Sequence, residues 1–176
     1  LLYPESQKLF RNLVETIKYG VYMADNKGKL FYVNPAFVEI LGYSSKEEVL
    51  GLDLAHELYF NPKDREEFLK AMEKTGFVRD YVLKNVRKDG STVVFSATSH
   101  FVKNETDEVI GVQGVVRDIT ERVHLEENLM IEKTKLEQML HFDEIIGTIR
   151  NPDELMEFIV GKTVQILNVE KCSLML

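Results

Sequence analysis

The sequence predicts an α+β fold: one five-stranded antiparallel sheet with flanking helices packed against it, continued by a long C-terminal helix. Three observations carry that expectation. Strand-like runs fall into two groups, residues 21–33 and 79–117, separated by helical segments. Five strands grouped in this way form one sheet covered by the helices between them. Hairpin signals, Asp25-Asn26-Lys27-Gly28 and Lys88-Asp89-Gly90, join neighbouring runs, with Gly accepting positive φ. Finally, the Val-rich run 109–116 stops at Asp118-Ile119-Thr120-Glu121-Arg122, where a proline-free, charged stretch begins that reads as helix to about residue 149.

Taken in order, Leu9, Phe10, Leu13, Val14 and Ile17 share one face of a helix over residues 5–18, with charges opposite, and Gly20 ends it. Residues 21–24 and 30–33 are short strands. Asn34-Pro35 offers an N-cap followed by Pro at the first helical position. Phe37, Ile40 and Leu41 give that short helix an apolar side, and Gly42 stops it. Short helical turns around Gly51 fill residues 45–60. Pro62 opens a helix to about residue 74, with Phe68, Leu69 and Met72 facing inward, and Gly76 closes it. Strands at 79–86, 92–102 and 109–117 complete the sheet. In the helix that follows, Thr120 is the expected cap and Glu121 meets the favourable end of the helix dipole. Asp118 and Arg122, four apart, are within reach of one another.

Farther along, Leu125, Leu129, Leu136, Met139 and Ile146 follow the three–four alternation of a two-stranded coiled coil. Arg122, Glu132 and Asp143 occupy the remaining core slots and weaken such a seam. A single helix packed on its own domain fits the same period. Asn151-Pro152-Asp153 restarts a helix with Leu155, Phe158, Ile159, Val164, Ile166 and Leu167 as its apolar residues, and residues 169–176 read as the start of a strand. The expected division is an amphipathic helix (1–18), the sheet domain (19–120), a linking helix (121–149) and the opening of a second domain (150–176).

Composition narrows the function. The 176 residues carry 22 Lys+Arg against 29 Asp+Glu, a formal charge of −7. An acidic chain with no basic block is a poor partner for nucleic acid or anionic lipid. Hydrophobic residues make up 44%, enough for a packed core. The single cysteine, Cys172, excludes an internal disulfide and fits a reducing cytoplasm. No apolar stretch nears the roughly 18–20 residues that span a bilayer. The chain begins with Leu and is expected to be a fragment, from a parent that could itself be membrane-attached.

The motifs Asp25-x-x-Gly28, Tyr32-Val33-Asn34-Pro35-Ala36-Phe37, Leu41-Gly42-Tyr43-Ser44, Glu47-Glu48-Val49-Leu50-Gly51, Arg87-Lys88-Asp89-Gly90 and Gly111-x-x-Gly114, ahead of Asp118-Ile119-Thr120-Glu121-Arg122, resemble a PAS domain over roughly residues 7–122. The resemblance implies a small sensory module of bacterial and archaeal signalling proteins, with the Asp-x-Thr ending as the junction between last strand and signalling helix. One departure stands out: Asn104-Glu105-Thr106-Asp107 occupies a turn where the family usually has Gly. Residues 140–176 resemble, more weakly, the start of a GAF domain. PAS, helix and GAF in series is a layout of sensor histidine kinases and cyclic-dinucleotide enzymes. The resemblance thus implies a sensory and dimerisation module, pairing with a second copy through helices 5–18 and 121–149, in a two-component or phosphorelay setting.

No Ser/His/Asp set, Walker motif or paired-carboxylate signature has a supporting context, so the expectation is a non-catalytic fragment without a metal site. His56-Glu57-Leu58 lacks the spacing of a phospho-acceptor box, His124 and His141 lie on the linking helix, and His56 and His100 would need the fold to bring them together. By resemblance, haem binding calls for a His in helix 62–74, which has none. Cysteinyl-flavin chemistry calls for a Cys in the short helices after Asn34, and there is none. A pocket remains the better expectation. Asn85 and Gln113 are amides inside apolar strands, and by resemblance both face the pocket. With strand alternation, Tyr81, Leu83 and Asn85 share the inner face with Phe95, Ala97 and Ser99, and Phe37, Leu41, Phe68 and Met72 close the other side. An ordinary filled core satisfies the same pattern.

Overall fold

The computed structural model of the chain describes residues 4–148 and, beyond them, 151, 153, 154, 156–158, 160 and 161. Two compact units divide it, Leu1–His124 and Leu125–Leu176. The first contains α1 (Pro4–Thr16), β1 (Gly20–Asp25), β2 (Leu30–Val33), α2 (Pro35–Ile40), α3 (Lys46–Val49), a single π-helical turn (Leu54–Leu58), α4 (Pro62–Thr75), β3 (Phe77–Val86), β4 (Thr92–Lys103) and β5 (Val109–Asp118). The helix α5 (Thr120–Thr148) runs from its end into the second unit. The strands form one antiparallel sheet in the order β2-β1-β5-β4-β3, so the last strand lies at the centre.

Local chemistry explains the punctuation. Gly76 ends α4 in the left-handed region at φ 82°, closing the helix as only glycine does freely. Asp107 adopts the same region at φ 65° in the β4–β5 turn. It thus stands in for the usual glycine, and Asn104 Oδ1 supports the turn by accepting from the Thr106 and Glu108 N–H groups. Asn151 Oδ1 accepts from Asp153 N–H at 3.0 Å, which suits a helix restarting there. The strand expected at 169–176, with Cys172, lies outside the described residues.

One face of the sheet is the core. Tyr22, Ala24, Leu83, Phe95, Ala97, Val112 and Val116 point into it, and Phe37, Leu41, Leu58, Phe68 and Met72 close it from the helical side. Gly114 is required in β5, because a Cβ there would overlap the Ser99 side chain and come within 2.8 Å of the Thr98 carbonyl oxygen.

The tie that organises this side is Asn34, fully buried at 0% exposure. Its Oδ1 accepts from Val21 N–H at 2.8 Å and from Phe37 N–H at 3.0 Å, the second bond capping α2. Its Nδ2 donates to the carbonyls of Val14 at 3.0 Å and Tyr19 at 2.9 Å. One amide therefore joins α1, the approach to β1, β1 itself and α2. Asn34→Ala removes a helix cap and strands buried backbone groups, and should lower unfolding free energy by about 3 kcal/mol in urea titrations. A loss below about 1 kcal/mol would show that these bonds are replaced by water.

Candidate functional site

Where α2, the π turn and β3–β5 meet, the core encloses a cavity of about 20 Å³, bounded in part by Tyr22, Phe37, Leu54, Tyr59, Asn85 and Phe95. That is room for about one water. Asn85 is 4% exposed, and its Oδ1 has no hydrogen-bond partner. The Tyr22 hydroxyl shares a 3.0 Å hydrogen bond with Ser99 Oγ. Burial pushes the Tyr22 hydroxyl above the ordinary tyrosine range, against the opposing effects of Ser99 and Arg65. Burial does the same to Tyr59, with nearby Tyr22 adding to the rise and the Arg65 guanidinium opposing it.

Of the residues expected to form a pocket, Phe37, Leu83, Asn85 and Phe95 line this cavity. Leu41, Phe68 and Met72 are buried in the surrounding core. Tyr81 is half-buried, its ring edge-on to Phe68 with centroids 5.5 Å apart. Gln113 is a correction. Alternation along β5 buries Val112, Gly114 and Val116, which turns Gln113 to the opposite face, where its Nε2 lies 2.6 Å from His100 Nε2. The strand is apolar on both faces, with Val115 outward and 38% exposed, so its composition concealed which way the amide points. His100 therefore stands on the outer face while His56 sits on the π turn beside Asp53, and the fold does not bring the two together. No imidazole or thiol is among the side chains lining the cavity.

At the junction with α5, Asp118 Oδ1 accepts from Thr120 N–H at 2.8 Å and from the Thr120 hydroxyl. Thr120 Oγ1 in turn accepts from Val94 N–H at 2.9 Å. The sequence placed the cap at Thr120; it is instead the first helical residue, and the capping carboxylate comes from Asp118. Asp118 Oδ2 pairs with Arg87 Nη2 at 2.9 Å, and Arg122 is exposed on the first turn of α5. Arg87 Nε also donates to the Ile40 carbonyl at the end of α2, at 2.9 Å. Two residues escaped the sequence reading. Arg87 was visible only as part of a hairpin motif. Arg65 was not singled out, although its spacing of three and seven from Phe68 and Met72 puts it on their buried face.

A sheet of this order, with its helical cover inserted between β2 and β3 and a helix leaving its central strand, defines a compact α+β module. A family model described as "PAS domain" matches residues 18–121, and the chain belongs to the PAS domain family. It is similar to the bacterioopsin transcriptional activator of Halobacterium salinarum, 29% identical over 120 residues, covering 66% of this chain and 17% of that protein. It is also similar to the sensor histidine kinase TmoS of Ectopseudomonas mendocina, 23% identical over 128 residues, covering 70% of this chain and 13% of that protein. The chain thus spans a small part of either relative. Among solved structures, the PAS domain of a protein from Colwellia psychrerythraea shares the fold with a TM-score of 0.59 at 22% identity, covering 66% of this chain and 98% of that one.

Asn85 yields a direct expectation. Replacing an amide whose oxygen is buried without a partner by an apolar side chain of similar size removes a desolvation penalty. Asn85→Leu should therefore leave the ligand-free protein equally stable or gain up to about 1 kcal/mol in urea unfolding. A loss above about 1 kcal/mol would mean that the amide is satisfied by bound water.

Proposed function

We propose that this chain is the sensory and dimerisation module of a multidomain cytoplasmic signal-transduction protein, a sensor histidine kinase or a cyclic-dinucleotide enzyme, and that it relays the state of its cavity through α5. The observation that carries the reading is the guanidinium of Arg87. It holds the last carbonyl of α2, whose Phe37 walls the cavity, and the carboxylate of Asp118, which holds the first N–H of α5. A displacement of α2 on filling of the cavity reaches the signalling helix through two side chains. Switching such a two-state joint needs a difference of only a few kcal/mol.

On this reading α5 pairs with its counterpart in a second copy. Leu125, Leu129, Leu136 and Met139 are all more than half exposed, a row of apolar side chains for a partner to cover. α1, where Leu9, Phe10 and Leu13 are exposed, contributes to the same pairing. Residues 150–176 open a GAF-like module, and catalysis resides in other parts of the protein. No described helix is long and apolar enough to cross a membrane.

A second reading is a ligand-free scaffold that serves dimerisation alone. The size of the cavity, about 20 Å³, favours it. Native mass spectrometry of freshly purified protein separates the two: a bound small molecule supports sensing, and a clean apo dimer supports the scaffold.

The relay is tested by hydrogen exchange. Asp118→Ala, Thr120→Val and Arg87→Met should each raise exchange at the first-turn amides of α5 while β1 and β4 keep their protection. Unchanged protection in all three would sink the relay. For pairing, Leu125→Glu with Leu129→Glu should weaken self-association at least about tenfold by sedimentation equilibrium, since buried apolar area and its loss to charge govern such seams. An unaltered association constant would remove α5 from the interface.

A further inference from the structure

Polar contacts fix the C-terminal end of α1. The Val14 carbonyl accepts from Asn34 Nδ2 at 3.0 Å, and Lys46 Nζ lies 2.8 Å from both carboxylate oxygens of Glu15. The Tyr32 hydroxyl donates to the same carboxylate at 3.4 Å. Toward the N-terminal turns, a groove of about 640 Å³ runs between α1 and the sheet. That volume falls in the range of small-molecule sites, roughly 300–1,000 Å³, and is far larger than the inner cavity.

The groove has an apolar floor and a cationic rim. Val21 and Met23 alternate along β1 with the buried Tyr22 and Ala24, so they point away from the core. Tyr32 stands opposite Met23 in register. From the helix, Phe10 and Val14, four apart, border the same space. Lys8 and Arg11 border it too, three residues or about 4.5 Å of rise apart, so one headgroup can meet both. No acidic side chain is among the described residues that line it. Glu15, one turn beyond Arg11, is committed to Lys46. Arg11 is felt across the groove at Tyr32, where its charge opposes the rise that burial and Glu15 impose on the hydroxyl. In a chain of net charge −7, two cations over an apolar floor invert the prevailing sign.

We propose that this groove binds a free aliphatic monocarboxylate of medium chain length, its carboxylate on Lys8 and Arg11 and its tail along Phe10, Val14, Val21 and Met23. The Arg11 fork suits a carboxylate held by two hydrogen bonds, and Lys8 adds a point charge. From Lys8 to Val14 the helix rises about 9 Å, which limits the tail to a medium length. A neutral amphiphile would leave both cations without a counter-charge. A second α1 seated in the groove would bring two more cations to it. The site is open to solvent, so it fills without any movement of the core. It is separate from the inner cavity, and its ligand would lie against a helix assigned to pairing.

The test uses the whole chain with octanoate, hexanoate, acetate and 1-octanol, each below its aggregation concentration, read by calorimetry and by amide and methyl NMR shifts. Octanoate should saturate one site, and hexanoate should bind about tenfold more weakly, the effect of two buried methylenes. Acetate, a head without a tail, should give no saturable heat. 1-Octanol, a tail without a charge, should bind at least about tenfold more weakly than octanoate. Lys8→Gln with Arg11→Gln should weaken octanoate at least about tenfold and leave 1-octanol unchanged. Both side chains are exposed, so the fold survives their replacement. The shifts should centre on Val21, Met23 and Tyr32. Equal affinity for octanoate and 1-octanol, or an octanoate affinity unmoved in the double variant, overturns the acid. Shifts centred on Leu83, Asn85 and Phe95 put the ligand in the inner cavity and overturn the groove while supporting the sensing reading. Absence of octanoate binding overturns the proposal, and groove resonances that move with protein concentration then assign the surface to a second copy.

Discussion

The amide of Asn34 is the constraint on which the rest of the first unit is hung. It sits where four segments converge, and each of its two donors and two acceptor directions is used on a different backbone group. A side chain with only acceptors could cap α2 and could not hold Val14 and Tyr19. An aliphatic one could do neither. Because α2 begins at this point, the position of Phe37 against the sheet, and of the Ile40 carbonyl six residues on, follows from the amide. The cavity wall and the junction with α5 thus inherit their placement from a residue that holds Phe37 by its backbone and has no bond to the junction.

Set beside Asn34, two other buried polar side chains behave in the opposite way. The same core that satisfies one asparagine completely leaves the oxygen of Asn85 and a nitrogen of Arg65 without partners. Buried polar groups are satisfied almost without exception, so two failures beside one tyrosine are a local arrangement, not a general looseness of packing.

How much of this was legible in the sequence depends on what each residue must do alone. Strand and helix limits were readable because Gly76, Gly90, Asn34-Pro35 and Pro62 act through their own backbone preferences. The inner face of β3 and β4 was readable because polar and apolar residues alternate there. β5 was not, because both its faces carry valine, and Gln113 was assigned to the wrong one. The roles of Arg87 and Asp118 depend on residues 31 positions apart meeting across the sheet, which no local spacing encodes. Arg65 illustrates a different limit: its spacing from Phe68 and Met72 puts it on the buried face of α4, a position that a charged residue does not advertise.

The central place of the last strand has a consequence for how the chain acquires its shape. Tyr22 finds its partner Gly114 only 92 residues later, so the first hairpin is synthesised long before the strand that joins it to the other two. Closing so large a loop is slow, and until it closes the two halves of the sheet expose unpaired edges. Maturation is therefore completed by the very segment that leads into α5. A nascent chain therefore cannot close its sheet until the segment that immediately precedes α5 has been made, so the helix emerges only behind a complete set of strands.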